Sequence, residues 1–318
     1  MSGARHNAMM NWRRRRGSGS AIWDWESDAA TGAASTGRAS ADVVRRRRLG
    51  AGLALVLLVA VGAVILAGGP GSHGRAQARA RVRPPILVAP DRFDRAIDRV
   101  LAGSPLITEG GRRRREIALT FDDGPGPYTG HLLRVLTGLR VPATFFAIGN
   151  MERYFGASTV AEQRAGDVVG DHTQSHPFLA RLSRADQRRE IFAQAQRLHG
   201  LGLAFPRLFR PPYGSFDQST LAQLRRFHML MVLWSVDTQD YRQPGVATIV
   251  SRVVAGAHPG AIVLLHDGGG TRLQTIQALP IIVRRLRARH YHLVTVPQLL
   301  LNDPPPPGQA VPPRLTGG

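Results

Sequence analysis

From residue 116 onward, short β-type runs alternate with helical stretches, and this alternation constrains the fold more than any other feature of the chain. Runs at 117–121, 143–147, 168–172, 229–234, 261–265 and 292–296 read as strands. Between them, 128–139, 183–201, 217–226, 246–256 and 272–289 read as helices. Such alternation implies parallel strands with helices packed outside, an α/β fold. The number of units predicts a (β/α) barrel, incomplete because only about 185 residues are available for it. In a parallel barrel the active site forms at the C-terminal ends of the strands.

Five polar clusters fall at such ends. Thr120-Phe121-Asp122-Asp123-Gly124-Pro125 closes the first strand. Adjacent carboxylates before a Gly-Pro turn project in different directions, so one can bind a metal while the other acts as a base. Taken alone, the same six residues make an ordinary Asp/Gly turn. His172-Thr173-Gln174-Ser175-His176-Pro177 ends the strand from Val168 and carries two imidazoles at His-x-x-x-His spacing. Two neutral histidines and one carboxylate are the usual ligands of a catalytic zinc, with a fourth position left for water. Phe209-Arg210-Pro211-Pro212-Tyr213-Gly214 is a loop stiffened by two prolines, suited to aiming a backbone N–H at an oxyanion. Within it, Arg210 is placed to steady a carboxylate. The run from Trp234 to Tyr241 brings two more acids, Asp237 and Asp240, and an aromatic ring of the kind that lines sugar grooves or packs cores. His266, in Leu264-Leu265-His266-Asp267-Gly268, is carried to the end of an apolar strand, where a histidine suits general-acid work near neutral pH. Ser175 and Ser235 lack the setting of a nucleophile elbow.

The remainder of the chain is of a different texture. Residues 1–48 are rich in Gly, Ala, Ser and Arg without apolar period and read as a disordered basic cytoplasmic tail. Residues 49–69 carry no charge over 21 positions. That length spans roughly 30 Å as a helix, the thickness of a bilayer core, and predicts one transmembrane helix preceding the barrel. Arg45 to Arg48 mark its cytoplasmic flank, which places the catalytic part outside the cytoplasm. The rival reading is a signal peptide cleaved near Ala76-Gln77-Ala78, which would leave a secreted protein. Residues 70–111 read as a linker with a short helix at 91–101, 112–302 as the catalytic domain, and 303–318 as a disordered Pro/Gly-rich tail. The absence of cysteine excludes disulfides, thiolate metal sites and a cysteine nucleophile. The formal charge of +20 comes wholly from arginine. Much of it comes in runs, Arg13 to Arg16, Arg45 to Arg48 and Arg112 to Arg115, and the first two precede the apolar segment, so nucleic acid is not the expected partner. Arg112 to Arg115 read first as a solvated run at a domain edge, and second as an attractor for an anionic wall or lipid surface.

In this order, the five clusters resemble the polysaccharide deacetylase family, carbohydrate esterase family four, defined by homology to a chitooligosaccharide deacetylase. The resemblance covers roughly 115–300, with TFDDGP and HTQSHP its most specific strings. It implies a distorted (β/α) barrel. It also implies a base, Asp122, and a metal triad of Asp123, His172 and His176 holding one divalent ion, zinc or another such as cobalt. Tyr213 would donate its backbone N–H to the oxyanion, and Pro212 would sit beside the substrate pocket. Arg210 would steady Asp122, with support from Asp240. Leu264 would line the acetyl-methyl pocket, and His266 would be the general acid. Tyr241 stands where many members carry Trp, which alters the pocket wall. The implied activity is removal of N-acetyl groups from a GlcNAc-containing polysaccharide, peptidoglycan or a chitin-like glycan, with release of acetate. An ester deacetylase, a small-molecule amidase and a non-enzymatic arginine-rich surface binder are the competing readings.

Overall fold

A computed structural model describes residues 91–309. The expected tail 1–48, the expected span 49–69, residues 70–90 of the expected linker and residues 310–318 lie outside the described residues. Among the described residues no helix is long and apolar enough to cross a membrane.

The described chain opens with α1 (Arg92–Gly103), whose N-cap Asp91 accepts the Phe93 and Asp94 N–H groups. There follow β1 (Leu106–Ile107), β2 (Glu116–Asp122), α2 (Thr129–Leu139), β3 (Thr144–Ala147), α3 (Gly149–Arg164), β4 (Val168–Asp171), α4 (Arg184–Gly200) and β5 (Leu208–Phe209). The second half runs α5 (Gln218–Phe227), β6 (Leu230–Val232), β7 (Val236–Asp237), α6 (Val246–Gly256), β8 (Ile262–His266), α7 (Leu273–Ala288), β9 (His292–Leu293) and α8 (Val296–Asn302). All strand pairs are parallel, in the order β1-β6-β5-β4-β3-β2-β8-β7, with β9 joining the start of β2. The sheet curls until Glu109, just past β1, bridges to Ala261 before β8, and the Gly110 N–H donates to the Gly260 carbonyl. The result is a curled, incomplete barrel of parallel strands, as expected.

Two apolar cores follow from the strand alternation of side chains. Along β2, Ala118 joins an inner cluster with Phe146, Phe209, Ile262 and Leu264. Ile117, Leu119 and Phe121 join an outer cluster with Leu132 and Leu136 of α2, Val253 of α6 and Leu279 of α7. Both faces of the sheet are therefore dry, and β2 is buried at all seven positions. Val296, Leu299 and Leu300 of α8 belong to the inner cluster and close the end of the barrel where β2 begins. The same alternation turns the last inward residue of each strand toward the opposite, open end.

Several boundaries differ from expectation. The short helix expected in the linker is α1, which packs on α8, and the same stretch adds an unexpected strand, β1, which pairs with β6. Leu106 and Ile107 are only two residues long as a strand, too short to show a period. Residues expected to extend the last strand to 296 turn at Thr295, which caps α8 by accepting the Gln298 N–H. The segment 149–164, assigned no element from its sequence, is α3. The Pro/Gly-rich tail begins inside the fold: Asp303 is buried, its carboxylate accepts the Arg113 and Arg114 N–H groups and the Arg113 Nε–H, and its carbonyl accepts the Gly111 N–H. Arg112 pairs with Glu109, and Arg115 donates to the Arg289 carbonyl, so the arginine run is engaged with the fold on its own side.

Burial alone would raise the Asp303 carboxyl, but the Arg113 and Arg114 contacts outweigh it and hold it below its ordinary value. Its contribution is thus present above the unfolded carboxylate pKa of about 3.9 and lost as pH falls further. Asp303→Ala is expected to destabilise the domain by about 1–3 kcal/mol at pH 7. The difference from wild type, read by urea denaturation, should shrink at pH 3.

Candidate active site

Inward positions of β2 and β8 bring Asp122 and His266 side by side, since the two are register partners across adjacent strands. Asp122 is 3% exposed and accepts a hydrogen bond at 2.7 Å from Arg210 Nη1. Arg210 follows β5 and is fully buried. Its Nη1 also donates to Thr120 Oγ1, its Nε to the Val232 carbonyl and its Nη2 to the Leu233 carbonyl. Phe146 and Trp234 flank the guanidinium at 4.2 and 5.7 Å. Asp122 is thereby fixed in one orientation with Oδ1 occupied and Oδ2 turned toward His172 Nε2, 3.8 Å away.

Asp123 continues past the strand with a left-handed backbone, φ 70°, which swings its carboxylate away from that of Asp122. Its Oδ1 lies 3.1 Å from His176 Nε2 and 3.5 Å from His172 Nε2. One donor atom from each of Asp123, His172 and His176 falls within 4.8 Å of the others. His172 Nδ1 sits 2.7 Å from the Arg210 carbonyl, which can only accept, so the proton is on Nδ1 and the Nε2 lone pair faces the cluster. That backbone partner is the kind that orients a metal-binding histidine. Burial opposes charge on Asp123, but His176 and His172 outweigh it and hold the carboxyl well below its ordinary value. Two imidazole nitrogens and one carboxylate oxygen match a catalytic zinc set with an open position, so the residues present fit a divalent ion.

His266 is oriented from behind. Its Nδ1 lies 2.7 Å from Asp240 Oδ1, and its backbone N–H donates to Asp240 Oδ2. Asp240 is held in turn by the Thr275 and Thr238 hydroxyls. Burial works against the His266 charge, but Asp240, then Asp123 and Asp122, outweigh it and raise the imidazole to about 9. The Asp240 support expected for Asp122 is thus delivered to His266 instead: the contacts of Asp240 are with His266, Thr238 and Thr275.

The remaining expected residues surround this centre. Pro212 is buried; Tyr213 has a left-handed backbone, φ 59°, and its ring meets His176 at 4.5 Å. Tyr241 meets His266 at 5.3 Å, and its buried hydroxyl finds no partner among the described residues. Leu264 lies one inward position below His266, 1% exposed. The serines are elsewhere engaged: Ser175 Oγ donates to Glu190, and Ser235 Oγ accepts the Ile262 N–H.

Reading the sequence missed Thr120, Thr238 and Thr275, which brace Arg210 and Asp240, and Asp267. Asp267 is fully buried, bonded by the Thr129 hydroxyl, and raised to about 7 by burial. The Cβ of any residue at Gly124 would collide with it, so it sets the shape of the Asp123-Gly124 turn. Its adjacency to His266 was the available signal; the threonines offered none.

Asp240→Asn removes the anion that raises His266. The imidazole is then expected to titrate below the wild-type value of about 9, because burial is opposed by Asp123 and Asp122 alone. NMR titration of the His266 ring in metal-free protein reads this directly, and a midpoint still near 9 would assign the shift to other groups.

The sequence profile of the polysaccharide deacetylase family matches residues 109–232. Over 201 residues the chain is 40% identical to a chitooligosaccharide deacetylase from a Bradyrhizobium species, covering 58% of this chain and 90% of that one. It is 34% identical over 192 residues to a peptidoglycan-N-acetylglucosamine deacetylase of Bacillus cereus, covering 60% and 70%. A crystal structure of a peptidoglycan N-acetylglucosamine deacetylase superposes with a TM-score of 0.61 at 32% identity, covering 63% of this chain and 94% of that one. The profile ends before Asp240 and His266, which the register of β2 and β8 brings back to the same site. The chain belongs to the polysaccharide deacetylase family, and with it to the hydrolases of carbon–nitrogen bonds other than peptide bonds.

Proposed function

We propose that the protein removes N-acetyl groups from a GlcNAc-containing polysaccharide, peptidoglycan in the first place, by metal-assisted hydrolysis. The observation that carries this reading is the pairing of Asp122 and His266 in register, each clamped from behind, beside a three-donor metal cluster. A divalent ion held by Asp123, His172 and His176 would polarise the acetamide carbonyl and acidify water. Asp122, anchored by Arg210 and with Oδ2 free of that bond, takes the proton of the attacking water. The Tyr213 N–H supports the developing oxyanion, as in the family pattern. His266, protonated at neutral pH through Asp240, delivers its proton to the departing amine. Leu264, Pro212 and Tyr241 form the apolar wall against the acetyl methyl. The products are acetate and a free amino sugar, without a covalent acyl-enzyme.

We place this site outside the cytoplasmic membrane, anchored by residues 49–69. Supporting this are 21 consecutive uncharged positions behind Arg45 to Arg48 and the wall polymer as substrate. Protease accessibility of the domain in intact cells tests the placement.

Acetate release from chitooligosaccharides, peptidoglycan and acetylated xylan tests the activity. Release is expected from the N-acetylated glycans, lost with chelator and restored by zinc. Asp122→Asn is expected to lower kcat by roughly 10²–10⁴-fold. His172→Ala is expected to abolish metal binding, measured by calorimetry, together with activity. Release from acetylated xylan alone would assign the protein to ester substrates.

A further inference from the structure

Next to the site, the chain after His176 builds a ladder of stacked groups. The Tyr213 ring meets His176 at 4.5 Å on one side. On another it stacks on Phe178, with centroids 3.9 Å apart and planes 12° from parallel. The Arg181 guanidinium lies over the Phe178 ring at 4.4 Å. Phe178 is nevertheless 39% exposed, an uncommon setting for a large apolar ring. The segment is held in place rather than loose. Leu179 is fully buried in the inner core, and the Ala180 N–H donates to Ser215 Oγ, which ties it to the loop carrying Arg210 and Tyr213.

Like Arg92, Arg115 and Arg242, Arg181 lies over an aromatic ring, and its ring is the one stacked through Tyr213 onto His176. Arg112, Arg113 and Arg189, also exposed, are instead each held by a carboxylate. Arg181 is held by a ring face, and its guanidinium forms no ion pair among the described residues. A guanidinium laid flat on an aromatic ring keeps its N–H edge outward, in the fork geometry that matches a carboxylate bidentately. The cation is therefore preorganised at the rim of the deacetylation site without an internal counter-charge.

We propose that Arg181, positioned by Phe178, recognises a carboxylate carried by the glycan next to the sugar being deacetylated. This rests on the function proposed above and deepens it: the preferred substrate is an anionic glycan bearing lactyl or peptide carboxylates, over a neutral chitin-like chain. Phe178 is a positioning residue, and Arg181 is the specificity determinant.

The test compares acetate release from solubilised peptidoglycan chains and from the same chains with their carboxyl groups amidated. Wild-type protein is expected to favour the native chains in kcat/KM by roughly three- to tenfold, less at high salt. Arg181→Gln should abolish the preference by raising KM on native chains while kcat is retained. Arg181→Lys should restore part of it, because the charge remains but the fork does not. Arg164→Gln removes an exposed charge at the far end of α3 and should keep the preference. A preference that survives in Arg181→Gln, or falls equally in Arg164→Gln, overturns the proposal. So does a wild-type enzyme that treats both polymers alike. Wild-type protein that deacetylates neither polymer overturns the underlying function instead, and with it this inference.

Discussion

The buried guanidinium of Arg210 is the interaction on which the rest of the site depends. Removing such a cation from water costs several kcal/mol unless it is paired and bonded. Here it donates to Asp122, Thr120, Val232 and Leu233, which gather the ends of β2 and β6 onto the residue that follows β5. Its carbonyl fixes His172, and its N–H donates to the Asp171 carbonyl at the end of β4. One residue thus sets the orientation of Asp122, the tautomer of His172 and the mutual position of four strand ends. Loss of the cation would strand the Asp122 carboxylate in a dry interior, a change of about 3–5 kcal/mol for a buried pair. The fold and the chemistry share that liability.

Around this anchor, the strand period distributes the roles. Inward residues of β2 descend through Ala118 and Thr120 to Asp122; those of β8 descend through Ile262 and Leu264 to His266. Parallel pairing in register makes the last inward residue of each strand a neighbour of the other. The proposed base and the proposed acid therefore meet without any long-range coincidence. Their opposite tasks are set by what stands behind them: a cation behind Asp122, an anion behind His266. The inner apolar cluster below keeps both pairs out of bulk water, where such pairings are worth far more than at the surface.

Much of this was legible because the strands that carry the chemistry are apolar runs ending in polar clusters. Asp122, His172 and His266 lie where such an ending placed them, whereas Arg210 and Asp240 follow β5 and β7, strands that the apolar pattern did not reveal. What escaped had no apolar signature. In α3 the buried residues are Gly149, Glu152, Gly156, Thr159 and Glu162, spaced as a helical face but small or polar. A hydrophobic period cannot reveal a helix whose inner face is made of glycine and acids. Burial raises Glu152 to about 7 and Glu162 well above the ordinary range, so that face carries less charge than two free carboxylates would. The strands β1, β5 and β7 are two residues each and depend on their neighbours for definition. Asp303 lay behind a proline-rich composition that reads as tail, although a single well-bonded carboxylate is enough to bring it inside.

The helix that the sequence concealed is also the one that secures the histidine loop. Asp123, Thr173, His176 and Tyr213 all have positive φ, which costs non-glycine residues of order 1–3 kcal/mol each and persists only where the surroundings over-determine it. Thr173 is held by its N–H on Asp171, and His176 by its N–H on Thr173 Oγ1. The first residues of α3 complete the restraint, with the Gly149 N–H on the Thr173 carbonyl and the Asn150 N–H on the Gln174 carbonyl. At Gly149 a Cβ would meet the side-chain amides of Gln174 and Gln194, which would have to move to admit it. The N–H groups of a helix start, unpaired within the helix, are spent on a strained loop that could not otherwise hold two imidazoles toward one point. Residues proposed to perform the chemistry are therefore recognisable by type. Those that make their geometry possible are glycines, threonines and buried acids, which take their meaning only from what they touch.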